Sequence, residues 1–241
     1  MYGVVQQQCR YRKNAPPMKP HDTIPWIAYP DMSVEERIAA TKDFYDSIKT
    51  RRTCRFIGSG PLAREAIETA IMAAGTAPSG ANHQPWHFAL VTSPEARHRI
   101  RIAAEEEERV FYSGKAGKEW LEALAPLGTD DDKAYLDAAP LIIAVFGQRK
   151  GGLYPGEMRQ NYYMHESVGI ACGFLLAALH AAKFATLTHT PNPMNFLNEI
   201  CGRPANEKPV MLIVVGHAEA DASIPVHATI KKPFDQIASW I

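Results

Sequence analysis

The chain has 241 residues, and its 26 basic and 26 acidic side chains give a formal net charge of zero. This length favours one domain with one core, and the balanced charge excludes a general attraction to nucleic acid or to an anionic membrane. Because neither a long unbroken apolar run nor a secretory-signal pattern is present, we expect a cytoplasmic protein without a membrane span. The four widely spaced cysteines predict neither a disulfide framework nor a metal site.

The first 32 residues are predicted to form an extended N-terminal arm, and residues 33–241 a single domain. Prolines recur from Pro16 to Pro30 among polar and aromatic residues, a composition that resists regular structure. Ser33 and Glu36 then form a capping-box pattern, which predicts that a helix begins there. The apolar residues expected on one face of this helix are Ile38, Phe44, Tyr45 and Ile48.

Helices and a few strands alternate through the rest of the chain. Pro61 is placed as the first-turn proline of a helix that ends at Gly75. The long predicted helix at 161–183 is apolar nearly all round in its middle, which indicates a place at the centre of the protein or of a dimer interface. The other predicted elements are strands at 87–91, 140–146, 184–188 and 210–215 and helices at 94–109 and 195–200. Such a pattern is typical of an α+β fold with a layered sheet and helices.

Two short motifs carry little weight. Gly58 to Ala63 match a dinucleotide fingerprint formally, but no apolar strand leads into them. His83 and His87 are four residues apart, yet Pro85 prevents a regular helix from presenting both to a metal ion. Neither a dinucleotide site nor a zinc site is therefore expected.

The segment Arg51-Arg52-Thr53-Cys54-Arg55 places three guanidinium groups within five residues. If it is extended, Arg51, Thr53 and Arg55 point to the same side. Guanidinium groups suit a phosphate because they offer parallel, charge-assisted hydrogen bonds. The segment is a candidate anion site, and a solvated basic turn is the alternative.

The segment from Ala77 to Trp86 combines small residues, amides and two prolines in a rigid loop. Its backbone N–H groups are exposed, and small side chains let such a loop approach a flat ring closely. The arginine segment, followed about two dozen residues later by Ala-Pro-Ser-Gly-Ala and by Pro85-Trp86, resembles the flavin-binding pattern of the nitroreductase superfamily. That resemblance implies an α+β fold with a central mixed sheet flanked by helices, an intertwined homodimer, and FMN as the cofactor at the dimer interface.

The resemblance also assigns the cofactor-binding residues. The arginines hold the phosphate and the ring edge, the loop contacts the isoalloxazine ring, and a basic residue near the C-terminus, Lys231 or its neighbour Lys232, meets the phosphate. The cofactor site so implied comprises Arg51, Arg52, Thr53, Cys54, Arg55, Pro78, Ser79, Gly80, Thr188, His189, Thr190 and Lys231.

Thr190 is the catalytic candidate. In the deiodinases of this superfamily a threonine at the corresponding place donates a hydrogen bond toward flavin N5, which favours one-electron steps. The preceding residue is a threonine in such a deiodinase and His189 in this chain. His189 either alters the flavin environment or is a half-buried residue at a strand end.

The candidate substrate residues follow a run of four glutamates. Glu108 and Tyr112 are four residues apart and so lie on one helix face, and Lys133 follows three aspartates some twenty residues later. Such a run is usually a solvated helix face. The same spacing, however, resembles the lid of iodotyrosine deiodinases, in which a Glu, a Tyr and a Lys close over the zwitterion of halotyrosine. The resemblance implies a lid around 105–135, and it places the Ala81 N–H against the substrate phenolate.

The predicted function is FMN-dependent reductive dehalogenation of 3-iodotyrosine and other halotyrosines to tyrosine and halide. The main alternative is a general NAD(P)H-dependent FMN nitroreductase or quinone reductase, which needs no lid for a zwitterion. Two others are a relative that fragments FMN and a flavin-binding module that has lost turnover. Glu108, Tyr112 and Lys133 are the residues that distinguish the deiodinase from the general reductase.

Overall fold

The computed structural model describes residues 23–25 and 29–241. The chain divides into two compact units, Met1–Thr41 and Lys42–Ile241. Most of the predicted N-terminal arm lies outside the described residues, so its expected extended form stays a prediction.

The first helix, α1 (Val34–Ile48), begins at the predicted capping box. The Ser33 N–H donates to Glu36 Oε2 at 2.7 Å, and the Glu36 N–H donates to Ser33 Oγ at 3.1 Å. The reciprocal bonds satisfy two of the backbone donors that a helix start leaves free. None of the residues of α1 is buried; its apolar side chains Ile38, Phe44 and Tyr45 are exposed, and Ile48 is half-buried.

The second unit is built on a five-stranded sheet. β2 (Trp86–Val91), β3 (Leu141–Gln148) and β7 (Glu207–Ala218) lie side by side and antiparallel. The other edge of β7 pairs with β6 (Ala185–His189) and, beyond it, with the two-residue β1 (Ile57–Gly58), both also antiparallel. The α+β class is confirmed.

The expected mixed character of the sheet needs a correction. Every pairing between the named strands is antiparallel, and a single bridge between Thr53 and Thr186 is parallel. The segment from Arg51 to Arg55 runs beside β6, but it is irregular and does not form a strand.

Helices cover both faces of the sheet, which explains why β3 is apolar along its length. Leu141, Ile143 and Val145 pack with α2 (Arg64–Gly75) and α6 (Met164–Ala181). Their neighbours in β3 point the opposite way, as strand geometry requires. There they pack with residues of α3 (Pro94–Val110), α5 (Tyr135–Ala138) and α7 (Phe196–Ile200). The predicted buried strand is confirmed, two residues longer at its C-terminal end.

Several predicted boundaries are wrong. α2 begins at Arg64, after Ala63, so Pro61 lies in the preceding loop, where its main-chain oxygen is 3.3 Å from His217 Nε2. α6 begins at Met164 rather than at residue 161, because Tyr163 adopts a left-handed conformation with φ of 57°. Five short elements were not predicted, namely β1, α5, α4 (Lys118–Leu124), β4 (Lys150–Gly151) and β5 (Arg159–Gln160).

Among the described residues, α6 is the one helix long and apolar enough to cross a membrane by length and composition, with a mean hydropathy of 1.3. The sequence predicted no membrane-spanning segment. The helix buries Val168, Cys172 and Leu175 against the sheet, and the core helix of a globular domain meets the same criterion.

Candidate active site

A cleft of about 670 Å³ opens beside the C-terminal part of α3. One side is formed by the end of α3, by α4 and by residues between Gly128 and Tyr135. The other side is formed by Arg55, Phe56 and Ile57 and by the end of β6. The cleft therefore joins the predicted lid region to the strand that carries the catalytic candidate.

Glu108, Tyr112 and Lys133 meet at this cleft. Lys133 Nζ lies 3.4 Å from Glu108 Oε2 and 5.8 Å from the centre of the Tyr112 ring. The same ammonium donates to the main-chain oxygen of Asp130, and the Tyr112 hydroxyl donates to Thr129 Oγ1 at 3.1 Å. An anionic acceptor and a cationic donor thus stand side by side, which is what recognition of a free amino acid requires.

One continuous helical segment positions Glu108 and Tyr112. Ser93 caps the start of α3, where its Oγ accepts a hydrogen bond from the Ala96 N–H at 3.3 Å. The last turn of α3 leads directly into a π-helical turn, Phe111–Lys115. Residues four apart on such a segment share a face, so Glu108 and Tyr112 both line the cleft.

The end of β6 supplies the other side of the cleft through Thr188, His189 and Thr190. Thr188 and Thr190 are exposed and His189 is buried, as the alternation of side chains along a strand requires. The hydroxyls of both threonines therefore remain available to a ligand.

His189 is a neutral buried residue. Its ring packs edge-on against Tyr135, with the ring centres 6.1 Å apart, and its Nε2 has no hydrogen-bond partner among the described residues. Burial, reinforced by the positive charges of Lys133 and Arg55, lowers the pKa of His189 to about 3. Burial likewise raises the pKa of the Tyr135 hydroxyl above its ordinary value. Both side chains are uncharged at neutral pH.

The segment from Arg51 to Arg55 is anchored to β6. Thr53 forms the parallel bridge to Thr186, and the Cys54 N–H donates to the Thr186 main-chain oxygen at 3.0 Å. The Cys54 side chain lies in the core, where burial raises the pKa of its thiol. The cysteine is thus a packing residue, and its side chain does not line the cleft.

The arginines of this segment differ in their relation to the cleft. Arg55 lines the cleft, whereas Arg51 and Arg52 do not. The Arg52 guanidinium donates to the main-chain oxygens of Lys49 and Arg51. This bonding fixes a turn directly after α1.

The loop after α2 has an unusual backbone. Ala81, Asn82 and Gln84 adopt positive φ angles of 50°, 55° and 50°, a conformation that costs roughly 1–2 kcal/mol for a residue with a side chain. The Ser79 hydroxyl oxygen accepts a hydrogen bond from the Gln84 N–H at 2.9 Å and holds the loop closed. These constraints agree with the predicted rigid loop.

The loop lies beside the start of α6. A Cβ added at Gly80 would come within 3.0 Å of the Tyr162 main-chain oxygen, so the loop approaches closely there. His83 Nδ1 lies 2.7 Å from Asn161 Oδ1, and the buried Asn161 amide donates to the Gln148 main-chain oxygen at 2.9 Å. His83 is thus part of a structural hydrogen-bond network. In the described part of the chain, no group of three His, Cys, Asp or Glu side chains could hold a metal ion.

The predicted site residues therefore fall into two groups. Arg55 and the end of β6 share the cleft with the three lid residues, but none of Pro78, Ser79, Gly80 and Ala81 lines it. Lys231 and Lys232 are exposed and also lie outside the cleft, and Lys231 Nζ donates to the Ala228 main-chain oxygen at 3.0 Å.

Many other residues that line the cleft were not predicted from the sequence, among them Trp120, Thr129 and Tyr135. Trp120 belongs to α4, which was not predicted. The available signal was the presence of two large aromatic residues, Trp120 and Tyr135, within or at the edge of the predicted lid.

Residues 48–217 match the model of the nitroreductase family, whose description is "Nitroreductase family". The fold agrees, because the structure of a nitroreductase with bound FMN from Desulfitobacterium hafniense superposes with a TM-score of 0.60 at 17% identity, over 83% of this chain and 98% of that one. The chain belongs to the nitroreductase family.

Its relatives narrow this assignment to one group of enzymes. The iodotyrosine deiodinase of Haliscomenobacter hydrossis is 48% identical over 191 residues, which cover 79% of this chain and 86% of that protein. Iodotyrosine deiodinase 1 of Homo sapiens is 41% identical over 210 residues, which cover 87% and 71%. The crystal structure of oxidized iodotyrosine deiodinase bound to FMN and 3-iodo-L-tyrosine superposes with a TM-score of 0.67 at 26% identity, over 82% and 97%. Within the nitroreductase family, the chain belongs to the iodotyrosine deiodinase family.

Proposed function

We propose that this protein uses FMN to convert 3-iodotyrosine, and other halotyrosines, to tyrosine and halide. Family membership supports the reaction class, and the arrangement of Glu108, Tyr112 and Lys133 at the cleft carries the substrate assignment. The substrate of a general nitroreductase carries no zwitterion, so a buried charge pair at the cleft would not be needed to bind it.

The charge pair suits the substrate. Glu108 and Lys133 lie 3.4 Å apart and are both largely buried, so each currently compensates the other. An amino acid offers an ammonium to Glu108 and a carboxylate to Lys133, and the two new charge-assisted bonds replace the existing one. The Tyr112 ring packs beside the ammonium of Lys133. Residues around 105–135 would thus act as the lid over the substrate, as their resemblance implies.

The residues of the chain also suit FMN. The guanidinium groups of Arg51, Arg52 and Arg55 carry the positive charge and the hydrogen-bond donors that suit a phosphate dianion. The exposed hydroxyls of Thr188 and Thr190 and the close-approach loop at Gly80 match the polar edge and the flat face of a flavin ring. Lys231 is exposed and can add a further positive charge.

Replacement of a carbon–iodine bond by a carbon–hydrogen bond takes two electrons and one proton and releases iodide. Reduced FMN, when bound, supplies the electrons. The chain contributes binding and orientation. Glu108 and Lys133 would hold the zwitterion, and the Ala81 N–H would hold the phenolate. Thr190 would donate a hydrogen bond to the edge of the flavin ring. Because halogenation acidifies a phenol whose unperturbed pKa is about 10, a site for phenolate prefers halotyrosine to tyrosine.

We further propose that the working form is a homodimer. The loop at Gly80 does not line the cleft of its own chain, and a second copy can supply this loop. The side of α6 opposite the sheet exposes Ile170 and Phe174 beside Gly169 and Gly173, where small residues allow close helix contact. Exposed Phe234 and Trp240 near the C-terminus add apolar surface.

The test is a titration of the FMN-loaded protein with 3-iodotyrosine and with tyrosine, followed by flavin fluorescence. Anaerobic turnover with dithionite, with iodide as the readout, completes it. We expect selective quenching by 3-iodotyrosine and iodide release, both strongly reduced in Glu108→Gln. Glu106→Gln is the matched control, because Glu106 is exposed on the same helix and does not line the cleft. Turnover of nitro compounds or quinones with NAD(P)H, without selective binding of iodotyrosine, would establish the general reductase instead.

A further inference from the structure

A second charged group, Arg101 and Glu105, lies behind the cleft on the stripe of α3 that leads to Glu108. Glu105 Oε1 accepts a hydrogen bond from the main-chain N–H of Lys133 at 2.9 Å and forms an ion pair with Arg101 Nε at 2.7 Å. Both side chains are mostly buried, and neither lines the cleft. Any effect of this pair on a ligand must therefore be indirect.

Arg101 connects α3 to the chain on both sides of Lys133. Its Nη2 lies 3.2 Å from Asp132 Oδ1, and its Nη1 lies 3.0 Å from Asp137 Oδ2 on α5. Asp132 Oδ1 in turn accepts the Ala134 N–H at 2.9 Å. One guanidinium thus fixes the residue before Lys133 and the helix that follows it.

Glu105 remains ionised in this setting. Burial alone raises the pKa of its carboxyl, but the hydrogen bonds from Arg101 and from the Lys133 N–H outweigh that effect and hold the pKa below its ordinary value. A charged acceptor binds a main-chain N–H more strongly than a neutral one. The Lys133 main chain is therefore held by a charge-assisted bond at the start of its long side chain.

We propose that Arg101 and Glu105 are positioning residues for substrate recognition, because they fix the Lys133 main chain and so hold its ammonium where a substrate carboxylate binds. The same face of α3 therefore holds Lys133 at two points. Glu105 binds its main-chain N–H, and Glu108 pairs with its ammonium. This inference rests on the proposed function, in which Lys133 binds that carboxylate.

The test compares two substrates, 3-iodotyrosine and 2-iodophenol, of which the second has no zwitterion. In Glu105→Ala we expect KM for 3-iodotyrosine to rise about tenfold, since a hydrogen bond to a charged group is lost, while KM for 2-iodophenol stays unchanged. Glu105→Gln keeps an oxygen for the Lys133 N–H and is expected to stay within about threefold of the parent. Arg101→Gln should behave like Glu105→Ala, and Glu106→Ala, on an exposed residue, like the parent.

Equal losses on the two substrates, or a KM for 3-iodotyrosine within about twofold of the parent in Glu105→Ala, would overturn the proposal. Hydrogen–deuterium exchange of the Lys133 amide provides an arm that does not depend on activity. Faster exchange in Glu105→Ala but not in Glu106→Ala supports the positioning role, and unchanged exchange contradicts it. If the parent releases no iodide from either substrate, the proposed function fails, and the exchange result still decides whether Glu105 fixes Lys133.

Discussion

The ammonium of Lys133 lies 3.4 Å from the carboxylate of Glu108, and the two side chains are only 5% and 15% exposed. Two charges that are both withdrawn from water stabilise each other only as long as both are present. A ligand that carries one charge would leave the other residue unpaired, whereas a zwitterion satisfies both. In the proposed function, this relationship makes the pair a selective element of the cleft.

Lys133→Met should weaken binding of 3-iodotyrosine about tenfold or more, because it removes the donor for the carboxylate and leaves Glu108 unpaired.

The double variant Glu108→Gln with Lys133→Met should lose less unfolding free energy than the two single variants together, with a coupling of roughly 1–3 kcal/mol. Urea unfolding of the four proteins measures this coupling. Lys118→Met, at an exposed lysine, is the control, and additive losses would contradict the interpretation.

His189 predicts a particular dependence of stability on pH. Its pKa falls from 6.5 to about 3 in the folded chain, so between these values the unfolded chain alone takes up the proton at this position. Its contribution to stability is therefore present above pH 6.5 and is lost as the pH falls toward 3. Relative to His189→Thr, the free energy of unfolding of the parent should drop by up to about 1.4 kcal/mol per pH unit in that window.

Urea unfolding at several pH values checks this prediction. His227→Gln, which replaces an exposed histidine, should follow the parent profile. Parallel profiles for the parent and His189→Thr would show that His189 is protonated equally in the two states.

Arg203 and Glu207 form a two-pronged ion pair, with Nε–Oε2 and Nη2–Oε1 distances both of 2.7 Å. The Glu207 side chain is 3% exposed, so Arg203→Ala leaves a buried carboxylate unpaired and should cost about 3–5 kcal/mol of stability. Thermal unfolding measures the loss. Arg64→Ala breaks a pair of the same spacing with exposed partners, Arg64 and Glu68, and should leave the melting temperature unchanged. Similar losses in both variants would refute the role of burial.

Gly80→Ala tests the loop beside α6. The added methyl group would lie 3.0 Å from the Tyr162 main-chain oxygen, so the loop must shift. We expect FMN to bind about tenfold more weakly, which corresponds to about 1.4 kcal/mol. Gly75→Ala is the control, because a Cβ there meets nothing within 4 Å. Unchanged FMN affinity in a folded Gly80→Ala protein would remove this loop from the cofactor site.

Phe174→Glu tests the homodimer. Phe174 is exposed on α6, and a charge at an apolar interface is costly unless it is paired. Light scattering should show a shift from dimer to monomer, with weaker FMN binding because the site draws on both copies. Ile102→Glu, at an exposed position on α3, should remain dimeric. A monomeric parent protein that binds FMN fully would exclude the proposed two-chain site.

Patterns that depend on near neighbours in the chain were readable from the sequence. The capping box at Ser33 and Glu36 sets the start of α1, and the apolar run around Ile143 sets the central strand. The spacing of four between Glu108 and Tyr112 predicts that they share a face, because α3 and the turn after it are helical. In each case the interacting residues lie within one helix or strand, where backbone geometry fixes their relation.

Contacts between distant segments required the tertiary structure. Spacing along the chain does not indicate that Lys133 packs beside Glu108, which the family resemblance alone implied, or that Glu105 on the same helix holds the Lys133 main chain. The intervening residues form helical segments that were not predicted. The sequence likewise does not predict the positive φ angles of Ala81 and Asn82, since alanine rarely adopts this conformation.

The sequence by itself determined the class of protein, the cofactor pattern and the candidate residues for the substrate, since these depend on motifs of a few residues at fixed spacing. The tertiary structure alone decided which of those residues meet. It places Arg55 at the cleft but not Arg51, and it buries His189 as a neutral residue under the electrostatic influence of Lys133 and Arg55. Burial and charge proximity arise from packing between elements far apart in the chain, and spacing along the sequence does not encode them.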